Sequence, residues 1–240
     1  MFYRIFIDMK EVIKKLLRES LLTEHFGYRA GNLIDKPEHK SNFSDGGRGT
    51  GHFGTGFYFF GSKGQAERYG KGSSREGKDR VIHIVDFSMY NLAKGTYDLH
   101  GLLKDVNDYA IGYQKNDDNL RYAIKRVLNY FNFDMGLEPE YKSRFNVRNQ
   151  KDYDALTSDE LKQYEIDTDR KMEIDFRNRD KIKKIEDNII NDIHTNNDES
   201  PSTVLMKYLG FEGVDVVGTE LDNSRFGSVI YDIKKDSIIQ

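Results

Sequence analysis

Apolar positions recur along this chain at two spacings, and these sort it into strand-like and helix-like stretches. "FYRIFID" (2–8) reads as a short strand, and "MKEVIKKLLRESLL" repeats apolar residues at Val12, Leu16, Leu17 and Leu21, as a helix does. "HFGYRAGNLID" is strand-like up to Ala30. Residues 37–56 form a polar loop dense in glycine, and the aromatic run "GFYFFG" after it reads as a strand. Ser62 then N-caps a short helix, with Gln65 three residues on as in a capping box, Ala66 and Tyr69 on its body, and Gly70 to close it. "DRVIHIVDFS" (79–88) alternates as a strand, and turn and helix signals share "YNLAKGTYDLHGLLKDVNDYA".

The character changes between about 104 and 200. "NLRYAIKRVLNYFNF" is an amphipathic helix, apolar at Leu120, Ile124, Val127, Leu128 and Phe131. A long charged stretch opens with a capping box from Thr157 to Glu160 and ends on a stripe of Ile182, Ile185, Ile189 and Ile193. Acids and bases alternate along it, which favours a solvated helical insertion over a basic nucleic-acid helix. "HTNNDESPS" reads as a linker. Core-like sequence then returns as a helix at "STVLMKYLG", a strand at "GVDVVG", a polar loop "TELDNSRFG" and a last strand "SVIYDI". The expected layout is a core in two parts, 1–103 and 201–240, flanking an insertion at 104–200.

Composition narrows the classes. A chain of 240 residues has room for one large or two small domains. Hydrophobic residues make up 37% and charged ones 32%, so a core domain with an exposed charged appendage is expected. The net charge of -3 gives no global basic field for nucleic acid. With no cysteine, disulfides, thiolate metal sites and cysteine nucleophiles are excluded, and a reducing cytosol is compatible. The N-terminal stretch has neither the apolar run of a membrane helix nor the pattern of a signal peptide. A soluble, cytoplasmic protein without membrane partners is the expectation. His39, His52 and Asp45 match no metal-ligand spacing and read as solvated, so no metal site is expected.

Gly49, Gly51 and Gly54 spell a G-x-G-x-x-G, usually a dinucleotide fingerprint. A Rossmann loop must follow a buried strand and open a helix. Here a polar loop precedes the glycines and a strand follows them, the reverse order.

Three short segments instead resemble the ADP-ribosyltransferase superfamily. "GTGFYFFGSKGQAERYG" resembles its G-x-G-x-Y-F strand and the small A-x-x-Y helix behind it. By that resemblance Tyr58 flanks and Tyr69 stacks on a nicotinamide ring, Ser62 lies beside the ligand, and Gly54 and Gly56 let a dinucleotide approach the backbone. Aromatic faces suit a flat aromatic cation, whereas Phe57 and Phe59 read as buried strand residues. "YRAGNL" resembles the family's first-strand motif, with Tyr28 and Ala30 beside the ligand and Arg29 on the ribose or a phosphate oxygen, which a guanidinium fork suits. Ala30 stands where the family usually has glycine, and His25 is an alternative histidine of the family type. "FGSVIYDI" resembles the closing strand that carries the catalytic glutamate, a carboxylate that stabilises an oxocarbenium-like centre. The matching position here is Gly227, with Ser228 beside it. Glu220 and Asp222 offer carboxylates on the preceding loop, with Glu220 preferred, and Glu212 to Asp215 read as structural.

The resemblance implies an α+β fold, an ADP-ribosyltransferase-like split mixed sheet with a charged helical insertion. It implies NAD as substrate and a macromolecular acceptor, a protein before a nucleic acid. The expected catalytic set is Arg29, Tyr58 and Glu220, and the expected NAD-binding set is Tyr28, Arg29, Ala30, Gly56, Tyr58, Ser62 and Tyr69. Similar short, charge-rich transferases are carried by phages and mobile elements, which extends the expected location to a host cytoplasm. Two alternatives stay open: an NAD glycohydrolase with water as acceptor, and a catalytically silent binding or inhibitor module.

Overall fold

A computed structural model of the chain describes residues 26–31, 52–72, 81–111, 115–222 and 227–239, with backbone alone at 31 and 69–72. The expected strand at 2–8 and helix at 9–22 lie outside the described residues, as do His25, His39 and Asp45.

Strand β1 (Phe26–Gly31) pairs antiparallel with β3 (Val81–Asp86), and β3 pairs antiparallel with β7 (Ile238–Ile239). A second sheet runs in the order β2 (Phe57–Phe59), β6 (Ser228–Ile230), β5 (Gly213–Asp215), β4 (Leu92–Lys94). Its β4–β5 pair is parallel and its other pairs antiparallel, so the sheet is mixed. One bridge joins the two sheets: the Tyr28 N–H donates to Phe60 O at 2.9 Å and the Phe60 N–H to Tyr28 O at 2.8 Å. The described chain is thus mixed α and β, with helices around two small sheets that meet between β1 and β2.

Strand β2 and the helix behind it follow in the expected order, while residues 37–51 of the expected glycine loop lie outside the described residues. Helix α1 (Lys63–Gly72) begins at Ser62, whose Oγ accepts the Gln65 N–H at 3.3 Å. The Gln65 side chain answers the Ser62 hydroxyl rather than its backbone, so only half of a capping box forms. The helix runs through Gly70 instead of closing there. Helices α2 (Tyr97–Ala110) and α3 (Asp117–Tyr130) follow, capped by Thr96 and Asn116. A short α4 (Gln150–Asp154) precedes α5 (Ser158–Thr195), 38 residues and about 57 Å long. Thr157 and Glu160 open α5 with a complete capping box. Helix α6 (Pro201–Tyr208) starts on Ser200 with proline in its first turn.

The main core crosses the expected domain limits. A boundary at 103/104 falls inside α2. Leu120, Ile124, Val127 and Leu128 of α3 and Ile189, Ile190 and Ile193 of α5 are buried in one cluster with Phe53, Leu205, Val214, Val229 and Tyr231. The apolar stripes of the charged region are therefore part of the body that carries the sheets. Charge content alone could not separate a solvated helix from one whose other face is buried. Along the upstream part of α5 run residues 138–145. Arg177 Nε donates to Glu138 at 2.8 Å, and Asp167 is buried beneath Tyr141 and Ser143.

Candidate functional site

Strand pairing sets β1, β2 and β6 side by side, so the three segments that carry the family resemblance become neighbours. Tyr28 of β1 bridges to Phe60 at the end of β2, and Phe59 pairs with Ser228 at the start of β6. Gly227, one residue before that pair, approaches the same end of β2: a Cβ there would lie 2.9 Å from Phe59 O and 3.5 Å from Tyr58 Cδ1.

The alternation of a strand then divides the expected residues between two faces. Phe57 and Phe59 are buried, 4% and 0% exposed, in a small core with Val85, Phe87, Tyr90 and Ile230. Gly27 and Arg29 share that face. A Cβ on Gly27 would meet Phe87 and Phe59, and the Arg29 guanidinium lies over the Phe57 ring at 5.7 Å. Tyr58 points the other way, into the main core. Arg29 and Tyr58 were expected to hold one ligand together, and the structure sets them on opposite faces. Tyr28 and Ala30, one position off Arg29 on either side, alternate with it.

The polar end of Tyr58 is spoken for. Its hydroxyl donates to Gly54 O at 2.7 Å and accepts the Phe53 N–H at 3.1 Å. Burial pushes this phenol well above its ordinary range, against the opposing pull of the Phe53 amide. The residue as a whole is half-buried, with its side chain packed against the main core and its hydroxyl enclosed. The expected close approach of a ligand at Gly54 and Gly56 is made by the protein itself. A Cβ at Gly54 would stand 2.3 Å from Thr203 Oγ1, and one at Gly56 would stand 2.6 Å from Ile230 O. Thr55 completes a buried hydroxyl cluster at the start of α6. Its N–H donates to Thr203 Oγ1 at 2.8 Å and Ser200 Oγ at 3.1 Å, and the Ser200 N–H donates to Thr55 Oγ1 at 3.0 Å.

The carboxylates are also redistributed. Glu220 accepts the Tyr97 N–H at 2.8 Å, so it caps α2, where a helix N-terminus favours negative charge. Asp222 instead lies beside the exit of β2, its Oδ1 3.2 Å from where a Gly61 Cβ would be and its Oδ2 accepting the Gly218 N–H at 2.9 Å. Asp215 pairs across strands toward Ser228, whose hydroxyl donates to its Oδ1 at 2.7 Å. That same oxygen accepts the Val217 N–H at 3.0 Å, and Ser228 Oγ accepts the Val216 N–H at 2.9 Å. Burial raises the Asp215 carboxyl, and the nearby Asp222 charge adds to the rise, while the Val217 and Ser228 bonds and Lys94 oppose it. Gly227 has no room for a side chain in this arrangement, because any Cβ presses on the Phe59 carbonyl.

Ser62 serves as the α1 cap, and the Tyr69 side chain lies outside the described residues. His52 packs edge-on against His100, ring centroids 5.3 Å apart, and among the described residues no group of three or more metal-ligating side chains gathers. The Asp215–Ser228 pair was missed from sequence because only the β5–β6 register brings residues thirteen apart into contact. Compared with protein-family models, characterised proteins and solved structures, the chain matches none.

Proposed function

We propose that this chain is an NAD-dependent ADP-ribosyltransferase, cleaving the nicotinamide–ribose bond and passing ADP-ribose to a macromolecular acceptor. The adjacency of β1, β2 and β6 carries the reading: three segments far apart in sequence, each resembling a different motif of one family, lie on three neighbouring strands at the junction of two sheets. In this reading nicotinamide leaves as a neutral ring with the electrons of the broken bond, and an acceptor nucleophile adds to the ribose carbon and loses its proton. Arg29 supplies a guanidinium for ribose or phosphate oxygens. Asp222, beside the exit of β2, supplies the negative charge that an oxocarbenium-like centre requires. Glu220 holds α2 and has no part in the chemistry.

A second reading, a silent binding module, is favoured by one observation. The position matching the family glutamate is a glycine with no space for a side chain.

The test is incubation of the protein with adenine-labelled NAD and cell lysate, following nicotinamide release and label transfer together. Release with labelled macromolecule supports the transferase, and Arg29→Ala lowers it by at least about tenfold, the loss of a charge-assisted contact. Release with free ADP-ribose alone makes the chain a glycohydrolase. NAD binding without release leaves the silent module, and neither binding nor release sinks the family reading.

A further inference from the structure

A cavity of about 590 Å3 opens over β4 and β5. Phe87, Tyr90 and Val217 give it apolar wall, and Asn91, Lys94 and Asp215 give it polar groups. Its volume lies in the range of small-molecule sites.

Lys94 and Asp215 stand directly opposite each other on the paired strands β4 and β5. A cross-strand pair of opposite charge ordinarily closes. Here, among the described residues, neither side chain forms an ion pair, although the Lys94 charge acts on the Asp215 carboxyl. Asp215 is also used on one side only. Oδ1 takes both the Ser228 hydroxyl and the Val217 N–H, and among the described residues Oδ2 accepts no hydrogen bond. Those two bonds fix the carboxyl in place, leaving a positioned acceptor and an ammonium on one wall.

We propose that this cavity binds a small phosphorylated sugar, with Asp215 Oδ2 accepting from sugar hydroxyls and Lys94 Nζ holding the phosphate. A carboxylate beside vicinal hydroxyls and a lysine on a phosphate are each strong charge-assisted pairings. The apolar wall suits the carbon face of a furanose. The test of this site uses no NAD.

The test is titration of the intact protein with ribose 5-phosphate, followed by amide chemical shifts and by calorimetry. Saturable binding is expected, with shifts at Ala93, Lys94, Asp215 and Val217, and with ribose or inorganic phosphate alone binding at least about tenfold more weakly. Lys94→Met, on an exposed side chain, keeps the fold and weakens ribose 5-phosphate by at least about tenfold. Asp215→Asn does the same where circular dichroism shows a native spectrum. No saturable binding by the wild-type protein overturns the proposal, as does unchanged affinity in Lys94→Met. Glycine binding as tightly as ribose 5-phosphate overturns the sugar-phosphate class.

Discussion

Tyr58 gives its hydroxyl proton to the carbonyl of Gly54, 2.7 Å away and four residues back along its own chain. The Phe53 N–H closes the loop from the other side, and the Tyr231 hydroxyl donates to Phe53 O at 3.3 Å. Tyr58 and the buried Tyr231 thus clamp residues 53–54 onto the core. Tyr58→Phe removes one hydroxyl and both of its hydrogen bonds to residues 53 and 54, a loss of about 1–3 kcal/mol. Urea unfolding followed by circular dichroism measures it. A variant as stable as wild type would show that the clamp is not made in solution.

Glu220 and Asp222 separate by role. Glu220→Ala removes the acceptor for Tyr97 N–H while Thr96 still caps Leu99, so about 0.5–1 kcal/mol is lost. Nicotinamide release is expected to stay within about twofold of wild type, because the side chain is bound to a helix end. Asp222→Asn is expected to cut release by at least about tenfold, as the loss of a charged group near the reacting bond does. Parallel nicotinamide assays decide it, and the reverse pattern returns the chemistry to Glu220.

The loop before β2 is locked to α6 by hydroxyl groups. Gly54 has φ of 109°, a conformation that L side chains rarely adopt, and Thr203 Oγ1 fills the space a Cβ would need. Gly54→Ala is therefore destabilising twice over, by strain and by clash, by about 2–4 kcal/mol. Thr203→Val keeps the shape and removes one of the two acceptors of the Thr55 N–H, leaving Ser200 Oγ, at about 0.5–1.5 kcal/mol. Thermal melts of both rank them. A melting temperature unchanged in Gly54→Ala would contradict this packing.

Local signals carried much of the fold. The Thr157–Glu160 capping box, the stripe through Leu120, Ile124, Val127 and Leu128, and the order of strand β2 and helix α1 are all visible within a few residues, because caps and periodicity are short-range properties. The faces of the strands were legible too, with Phe57 and Phe59 buried. What stayed hidden depends on pairing between distant segments. Nothing near Glu220 announces that Tyr97, more than a hundred residues earlier in the chain, needs its carboxylate. Nothing around Asp215 shows that β6 will set Ser228 against it. Arg29 and Tyr58 each fit a motif by spacing, but spacing does not state which face a strand turns toward the other. The charged region misled for a related reason: its polar side dominates composition, while the few isoleucines that join it to the core decide its place.

Asp167 makes the upstream part of α5 sensitive to acid. Its carboxylate is 2% exposed and accepts from Tyr141 Oη at 3.0 Å, Gln163 Nε2 at 3.2 Å, and Ser143 Oγ and the Arg144 N–H at 3.4 Å. Burial alone would raise it, but the Tyr141, Gln163 and Arg144 bonds and the Arg144 charge outweigh that, and the carboxyl is held below its ordinary value. A depressed carboxyl stabilises the folded form fully above its unfolded value, about 3.9, and loses that contribution as pH falls through the lower folded value. Residues 138–145 are therefore expected to detach from α5 under acid before the core opens, which an acid-active protease reads as early cleavage there between about pH 4 and pH 2. Glu138, lowered by its bond to Arg177, titrates in the same direction and adds to the effect. Asp167→Asn keeps the shape and removes the charge, so its cleavage at neutral pH rises toward the acid level and its remaining pH dependence is that of Glu138. Cleavage of the wild type that does not change over this range would mean that Tyr141 and Asp167 do not hold residues 138–145 to the helix.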